Sequence, residues 1–120
     1  MIVSVANQKG GVGKSTTAHA MGAALRKPRT KVLFIDLDSQ GNLTYAMGGK
    51  TSPALLDMLL GRQGAEQAIQ QTTGGDLIAS SPALSGADLL LNMTGKEYRL
   101  KEALAPIQAS YDWIVIDTPP

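Results

Sequence analysis

The chain of 120 residues contains no cysteine and no long apolar run. The lack of cysteine excludes disulfide bonds and thiolate metal sites, and it favours a reducing compartment, for which we expect the cytoplasm. No apolar stretch approaches the length that spans a bilayer, and no basic leader with an apolar block follows Met1. We therefore expect no membrane partner and a mature protein that begins at Met1.

Neither sign of charge is in clear excess, because the formal net charge is +1 at pH 7. Overall charge therefore neither requires nor excludes a nucleic-acid partner, and only local clusters are informative. The candidate cluster is Arg26, Lys27, Arg29 and Lys31. A solvated helix end is its simpler interpretation, because cations there meet the negative end of the helix dipole. Hydrophobic residues make up 43% of the chain, which is typical of one globular domain.

The start of the chain has the pattern of a βαβ unit. Ile2–Ala6 is a short apolar run that predicts a strand, and a glycine-rich turn follows it. Apolar residues then recur at helical spacing over residues 14–27, and Pro28 cannot continue that helix. The next strand, at residues 32–35, is continuously apolar, as expected for a parallel strand that is covered on both faces.

The rest of the chain also alternates helices and strands. Ser52 and Pro53 predict the start of a leucine-rich helix that Gly61 ends in the left-handed conformation. Thr94 and Glu97 have the spacing of a capping box. We predict helices at residues 53–60, 65–71 and 94–105 and strands at residues 77–79 and 113–116. This alternation predicts an α/β fold, a three-layer sandwich with a mainly parallel sheet.

The glycine-rich turn after the first strand has the chemistry of a phosphate site. Its residues are Lys9, Gly10, Gly11, Val12, Gly13, Lys14, Ser15 and Thr16. A helix start leaves backbone N–H groups unpaired and carries partial positive charge, and glycines let an anion approach them. Lys14 supplies a cation for the β- and γ-phosphates, the Ser15 hydroxyl is placed to ligate Mg²⁺, and Thr16 is expected to donate to the α-phosphate.

This turn departs from the general phosphate-loop pattern at its start. Gln8 stands where that pattern has a glycine, and a second lysine, Lys9, opens the loop. Residues 8–17 resemble the deviant Walker A box of the ParA/MinD superfamily, a P-loop NTPase group in which the extra lysine is a signature. The resemblance implies ATP and Mg²⁺ as cofactors, and it implies that Lys9 reaches the phosphates of the other subunit in an ATP-bound homodimer. By its own chemistry, Lys9 is equally a solvated lysine.

Acidic residues follow two of the predicted strands. Asp36 and Asp38 come after the second strand, and Asp117 ends the last one, which Tyr111 and Trp113 are expected to anchor in the core. In a parallel sheet, both places lie on the ligand side. An aspartate after a strand is often only a turn former, so the glycine-rich loop is what favours a site.

The segment from Asp36 to Thr44 resembles the switch I signature of ParA proteins, with Ser39 in place of the usual proline. The resemblance implies that Asp38 positions or polarises the attacking water. It also implies that Asp36 supports Mg²⁺ and its waters and that Asp117 holds Mg²⁺ through water, together with Ser15. The catalytic residues that it implies are Lys9, Lys14 and Asp38.

The resemblance runs from Met1 to Pro120, whose last residues look like the Walker B strand and the start of switch II. We expect residues 1–120 to be the N-terminal half of a single P-loop NTPase domain. The implied function is an ATPase switch in plasmid or chromosome partitioning, associated with the nucleoid. It would dimerise with ATP, bind DNA nonspecifically and respond to a centromere-binding partner resembling ParB.

Other interpretations of the loop stay open. A membrane switch similar to MinD needs a C-terminal amphipathic helix that this sequence does not contain. A metabolic ligase of the dethiobiotin-synthetase type uses a related loop, and a remnant that only binds nucleotide is the non-enzymatic possibility. A nitrogenase-reductase type of iron–sulfur carrier needs cysteine ligands, which the sequence lacks.

Overall fold

The computed structural model describes residues 2–6, 30–85 and 96–118. Five strands form one sheet in the order β1-β5-β2-β4-β3. The strands are β1 Ile2–Ala6, β2 Val32–Asp36, β3 Ile69–Thr72, β4 Gly75–Ile78 and β5 Trp113–Thr118. The pairs β1/β5, β5/β2 and β2/β4 are parallel, and β4/β3 is antiparallel. The predicted α/β fold with a mainly parallel sheet is confirmed.

Short helices connect these strands. They are α1 Asn42–Ala46, α2 Ala54–Leu59, α3 Ala65–Ala68, α4 Lys96–Leu104 and a 3-10 helix at Gln108–Ser110. The predicted helices at residues 53–60 and 94–105 are confirmed over α2 and α4. The predicted helix at residues 14–27 and the capping residue Thr94 lie outside the described residues.

The core lies on both faces of the sheet, because successive strand residues point to opposite sides. Leu33 and Ile35 belong to a cluster with α2, α3 and α4, whereas Phe34 between them belongs to a second cluster with α1. Ile114 and Val115 of β5 divide in the same way. The continuous apolar runs are therefore buried on both faces, as the sequence predicts.

Helix α2 ends as its sequence predicts and begins slightly later. Ser52 Oγ accepts a hydrogen bond from the Ala54 amide at 3.1 Å, but Pro53 is the N-cap residue and not the first helical one. At the other end, Gly61 has a φ of 77°. The Arg62 amide donates to the Asp57 carbonyl at 2.8 Å, a closure that a left-handed glycine allows.

The prediction of a helix at residues 65–71 is wrong beyond Ala68. The chain turns into β3 at Ile69 and pairs antiparallel with β4 across a tight hairpin, in which Thr72 opposes Gly75. The Thr72 hydroxyl donates to the Gly75 carbonyl at 2.7 Å and accepts from the Gly74 amide at 3.1 Å. Pairing with β4 thus decides the conformation of this polar segment.

Trp113 is not a core anchor, because 40% of its surface is exposed at the start of β5. Tyr111 is half-buried, packs against the larger core cluster and donates its hydroxyl hydrogen bond to Asp76 Oδ2 at 2.7 Å. Burial, together with this hydrogen bond and the charge of Asp76, raises the pKa of the Tyr111 phenol above its ordinary value. The neutral phenol is therefore the form that stabilises the fold.

Replacing Tyr111 by Phe is expected to lower the free energy of unfolding by about 1 kcal/mol at neutral pH, because the Asp76 carboxylate loses a donor. The phenol has a raised pKa in the folded state, so its contribution is complete below the ordinary pKa of about 10 and is lost as the pH rises through the folded value. Urea denaturation at several pH values measures the difference between the two proteins. A difference that grows above pH ~10 would contradict this assignment.

Candidate functional site

Acidic residues meet at the carboxyl edge of the sheet, as predicted. Asp36 ends β2 and lies directly opposite Asp117 of β5, which on its other side lies opposite Val5 of β1. Asp36 is fully buried and Asp117 is 7% exposed. The Leu37 amide donates to the Asp117 carbonyl at 2.9 Å and continues the strand pairing past Asp36. Three strand ends thus converge on Asp117.

The Asp36 carboxylate holds the segment that follows it. Its Oδ1 accepts from the Asp38 amide at 3.1 Å, and its Oδ2 accepts from the Thr44 amide at 2.9 Å and the Thr44 hydroxyl at 2.8 Å. Burial raises the pKa of the Asp36 carboxyl, an effect that the donors of Thr44 and Asp38 oppose without reversing it. In the described structure, Asp36 therefore orders a loop, and its role near Mg²⁺ stays a prediction.

Asp38 lies in a tight turn between β2 and α1. Its Oδ1 accepts from the Gln40 amide at 3.0 Å, and its carbonyl accepts from the Gly41 amide at 3.0 Å. Gly41 has a φ of 71°, which favours glycine at this position. The turn contains Ser39, at the place where the switch I signature that this segment resembles has proline. Asp38 is only 5% exposed, so its carboxylate is held at the sheet edge and not on a free loop.

Two residues of this edge were missed by the sequence interpretation. Thr44 was only part of a motif, and Ser80, just beyond β4, was not singled out. The Ser80 amide donates to Thr44 Oγ1 at 2.9 Å, and the Ser80 hydroxyl donates to the Asp38 carbonyl. A signal existed, because Ser80 follows β4 as Asp36 ends β2, and parallel strands end at the same edge.

The predicted phosphate loop and its residues Lys9, Gly10, Gly11, Val12, Gly13, Lys14, Ser15 and Thr16 lie outside the described residues. What the structure describes is the strand before the loop. Ala6, the last residue of β1, lies opposite Thr118, one residue after Asp117. Strand β1 therefore ends at the edge where the acidic residues meet.

The donor set at this edge fits magnesium. Mg²⁺ typically keeps several waters and takes one or two carboxylates together with substrate phosphates. Within residues 2–6, 30–85 and 96–118, no three acidic or histidine side chains are arranged to hold a metal ion. A carboxylate such as that of Asp117, near the end of β5, suits this mode of binding. No helix of the described ranges is long and apolar enough to cross a membrane.

Comparison with known proteins identifies the family. An AAA domain family matches residues 1–120. The chain belongs to this AAA domain family. The chain is 41% identical to the chromosome partitioning protein ParA of Caulobacter vibrioides over 127 aligned positions, which cover 99% of the chain and 48% of that protein. It is 38% identical to the sporulation initiation inhibitor protein Soj of Bacillus subtilis, with 99% and 49% covered. The resemblance to ParA and Soj partitioning ATPases is confirmed.

A solved structure agrees with the fold of this AAA domain chain. Cobyrinic acid a,c-diamide synthase from Mycobacterium smegmatis, crystallised with an ATP analogue and magnesium, superimposes with a TM-score of 0.83 at 40% identity. The match covers 99% of the chain and 51% of the synthase. The chain thus spans about half the length of the relatives that it matches.

Proposed function

We propose that this chain is the nucleotide-binding part of an ATPase switch for plasmid or chromosome partitioning. The observation that carries the proposal is the meeting of β1, β5 and β2 at one edge, where Asp117, Asp36 and the turn of Asp38 lie beside the strand that leads to the phosphate loop. This is the edge at which open α/β sheets bind ligands. The ATP analogue and magnesium bound by the Mycobacterium smegmatis synthase support ATP and Mg²⁺ as its ligands.

Each residue has a separate role in this proposal. The glycines of residues 10–13 and the Ser15 and Thr16 donors bind the phosphates, and Lys14 neutralises their charge. Mg²⁺, held through Ser15, Asp117 and Asp36, would neutralise charge that develops on the phosphates. Asp38 orients the water that attacks the γ-phosphate and accepts hydrogen bonds from it. Lys9 completes the site of a second subunit.

The biological role belongs to the whole protein. The ParA and Soj relatives support a partitioning switch that dimerises with ATP, binds DNA nonspecifically and is stimulated by a partner resembling ParB. Such a switch would act in the cytoplasm on the nucleoid. We propose that its DNA-binding surface lies in the half of the relatives' length that this chain does not span.

A metabolic ligase is the second candidate, and one observation favours it. The Mycobacterium smegmatis structure is that of a cobyrinic acid a,c-diamide synthase, whose name describes amide formation on an acid, and it matches this chain at 40% identity. A ligase of this kind, like the dethiobiotin-synthetase type, transfers phosphate from ATP to a carboxylate and not to water. The same strand-end site would serve both reactions, and only the acceptor differs.

Titration with a fluorescent ATP analogue tests nucleotide binding, which both candidate functions require. We expect saturable binding to the full-length gene product that is at least tenfold weaker without Mg²⁺, because the phosphates then repel one another. Phosphate release that rises with DNA and a ParB-like partner supports the partitioning switch, whereas release that needs a small carboxylic acid supports the ligase. Absence of saturable binding would contradict both.

A further inference from the structure

A closed ring of buried hydrogen bonds surrounds the turn of Asp38. The Asp38 amide donates to Asp36 Oδ1, and the Thr44 hydroxyl donates to Asp36 Oδ2. Thr44 Oγ1 in turn accepts from the Ser80 amide, and the Ser80 hydroxyl returns to the Asp38 carbonyl. Asp36 and Ser80 are fully buried and Thr44 is 2% exposed. The ring therefore links the end of β2, helix α1 and the segment after β4. Because the ring is buried, water does not compete for its hydrogen bonds.

The ring fixes the backbone of Asp38 on both sides. Its N–H donates to Asp36 on β2, and its carbonyl accepts from the hydroxyl of Ser80 just beyond β4, so both peptide groups that flank its Cα have a partner. The Asp38 carboxylate is set by the same turn through the Gln40 amide. A shift of Thr44 or Ser80 would therefore turn the Asp38 side chain relative to the end of β5.

The hydroxyl groups of Thr44 and Ser80 supply hydrogen bonds that hold the turn of Asp38. Each hydroxyl contributes a donor to the ring, and Thr44 Oγ1 also accepts, which neither valine nor alanine reproduces. Neither residue lies within a strand or belongs to either hydrophobic core cluster. Burying a polar group is costly unless the group is hydrogen-bonded, and a fully satisfied network of buried hydrogen bonds specifies one geometry.

We propose that Thr44 and Ser80 are positioning residues that orient Asp38 for attack on the γ-phosphate. This inference rests on the proposed ATPase function and deepens it. Neither residue touches the nucleotide in this assignment, because both act through the backbone of Asp38 and the carboxylate of Asp36. Removing either hydroxyl should thus slow the chemical step and leave nucleotide affinity almost unchanged.

The test compares variants of the full-length gene product in steady-state ATP hydrolysis. Thr44→Val keeps the shape and removes the hydroxyl, and we expect kcat to fall by about tenfold to a hundredfold with KM for ATP changed by less than about threefold. Thr44→Ser restores the hydroxyl and should recover most of the rate. Ser80→Ala should reproduce the fall. Thr72→Val, which removes a hydroxyl from the β3–β4 hairpin, is the matched control and should keep the wild-type rate.

A double variant shows whether Thr44 acts through Asp38. In an Asp38→Ala background, Thr44→Val should produce no further fall in the single-turnover rate, because the group that it positions is absent. A further fall of the same factor, or a wild-type kcat in both Thr44→Val and Ser80→Ala, overturns the inference. If Thr44→Val does not fold, Ser80→Ala decides, because it removes a single donor. If the wild-type protein does not hydrolyse ATP, the proposed function itself is contradicted. This result is obtained before any variant is made.

Discussion

Replacing Asp38 by Ala is expected to lower ATP hydrolysis by about a hundredfold to ten-thousandfold while the affinity for an ATP analogue changes by only a few fold. The carboxylate is the group that we assign to orient the attacking water. Asp38 lies in the turn after β2 and is 5% exposed. Its carboxylate accepts from the Gln40 amide, and its backbone carbonyl accepts from the Gly41 amide. Water that enters in place of the side chain does not reproduce that fixed orientation.

Phosphate release by the full-length gene product, with its DNA and partner present, measures this effect. Asp57→Ala is the matched control, because Asp57 lies on α2. Within the described residues, its salt bridge is to the exposed Arg62, at 3.7 Å. Such a surface pair contributes about 0–1 kcal/mol, so the control should hydrolyse ATP at the wild-type rate. An Asp38→Ala variant that hydrolyses ATP as fast as this control would remove Asp38 from the mechanism.

Replacing Lys9 by Ala is expected to abolish ATP-dependent dimerisation and to lower hydrolysis by about a thousandfold or more, with nucleotide binding by the monomer retained. Lys9 lies outside the described residues, so the prediction rests on the sequence and on the confirmed membership in the family. A cation that enters the partner's site offsets the charge of the phosphates and the charge that develops in transfer. Cationic groups supplied across an interface have effects of about this size.

Sedimentation velocity with ATP and Mg²⁺ separates the two parts of this prediction. The wild-type protein should shift from monomer to dimer, and the Lys9→Ala variant should stay a monomer with bound nucleotide. Lys50→Ala, which removes an exposed lysine between α1 and α2, is the matched control and should dimerise normally. Normal dimerisation of Lys9→Ala would show that the second lysine of the loop is only a solvated side chain.

The parallel core of the fold was predictable because it depends on local pattern. The apolar runs of β2 and β5 indicate strands that are covered on both faces, and the described burial confirms this. Edge strand β3 was not predictable in this way. Ala65, Ala68 and Ile69 have helical spacing, and only hydrogen bonds to β4 turn the chain into a strand at Ile69. Tertiary pairing outweighs local propensity in such a segment.

The candidate site was likewise only partly predictable from the sequence. Asp36, Asp38 and Asp117 were predictable because acidic residues follow strands that end at the same edge. The ring through Thr44 and Ser80 was not, because its links join residues that are 36 and 42 positions apart in the chain. Contacts of that range follow from the strand order, in which β4 lies beside β2. The sequence motif therefore identifies the acidic residues, and only the fold identifies the residues that support them.

The central claim, that ATP and its metal bind at the carboxyl edge of β1, β5 and β2, is tested most directly by Mn²⁺ in place of Mg²⁺. Mn²⁺ takes similar oxygen ligands and broadens the NMR signals of nearby amides. With Mn²⁺–ATP, the amides of Leu37 and Thr118 should broaden. Those of Val32 and Trp113, five residues or about 17 Å back along the same strands, should broaden far less. Broadening at Val32 and Trp113 with sharp signals at Leu37 and Thr118 would contradict the claim.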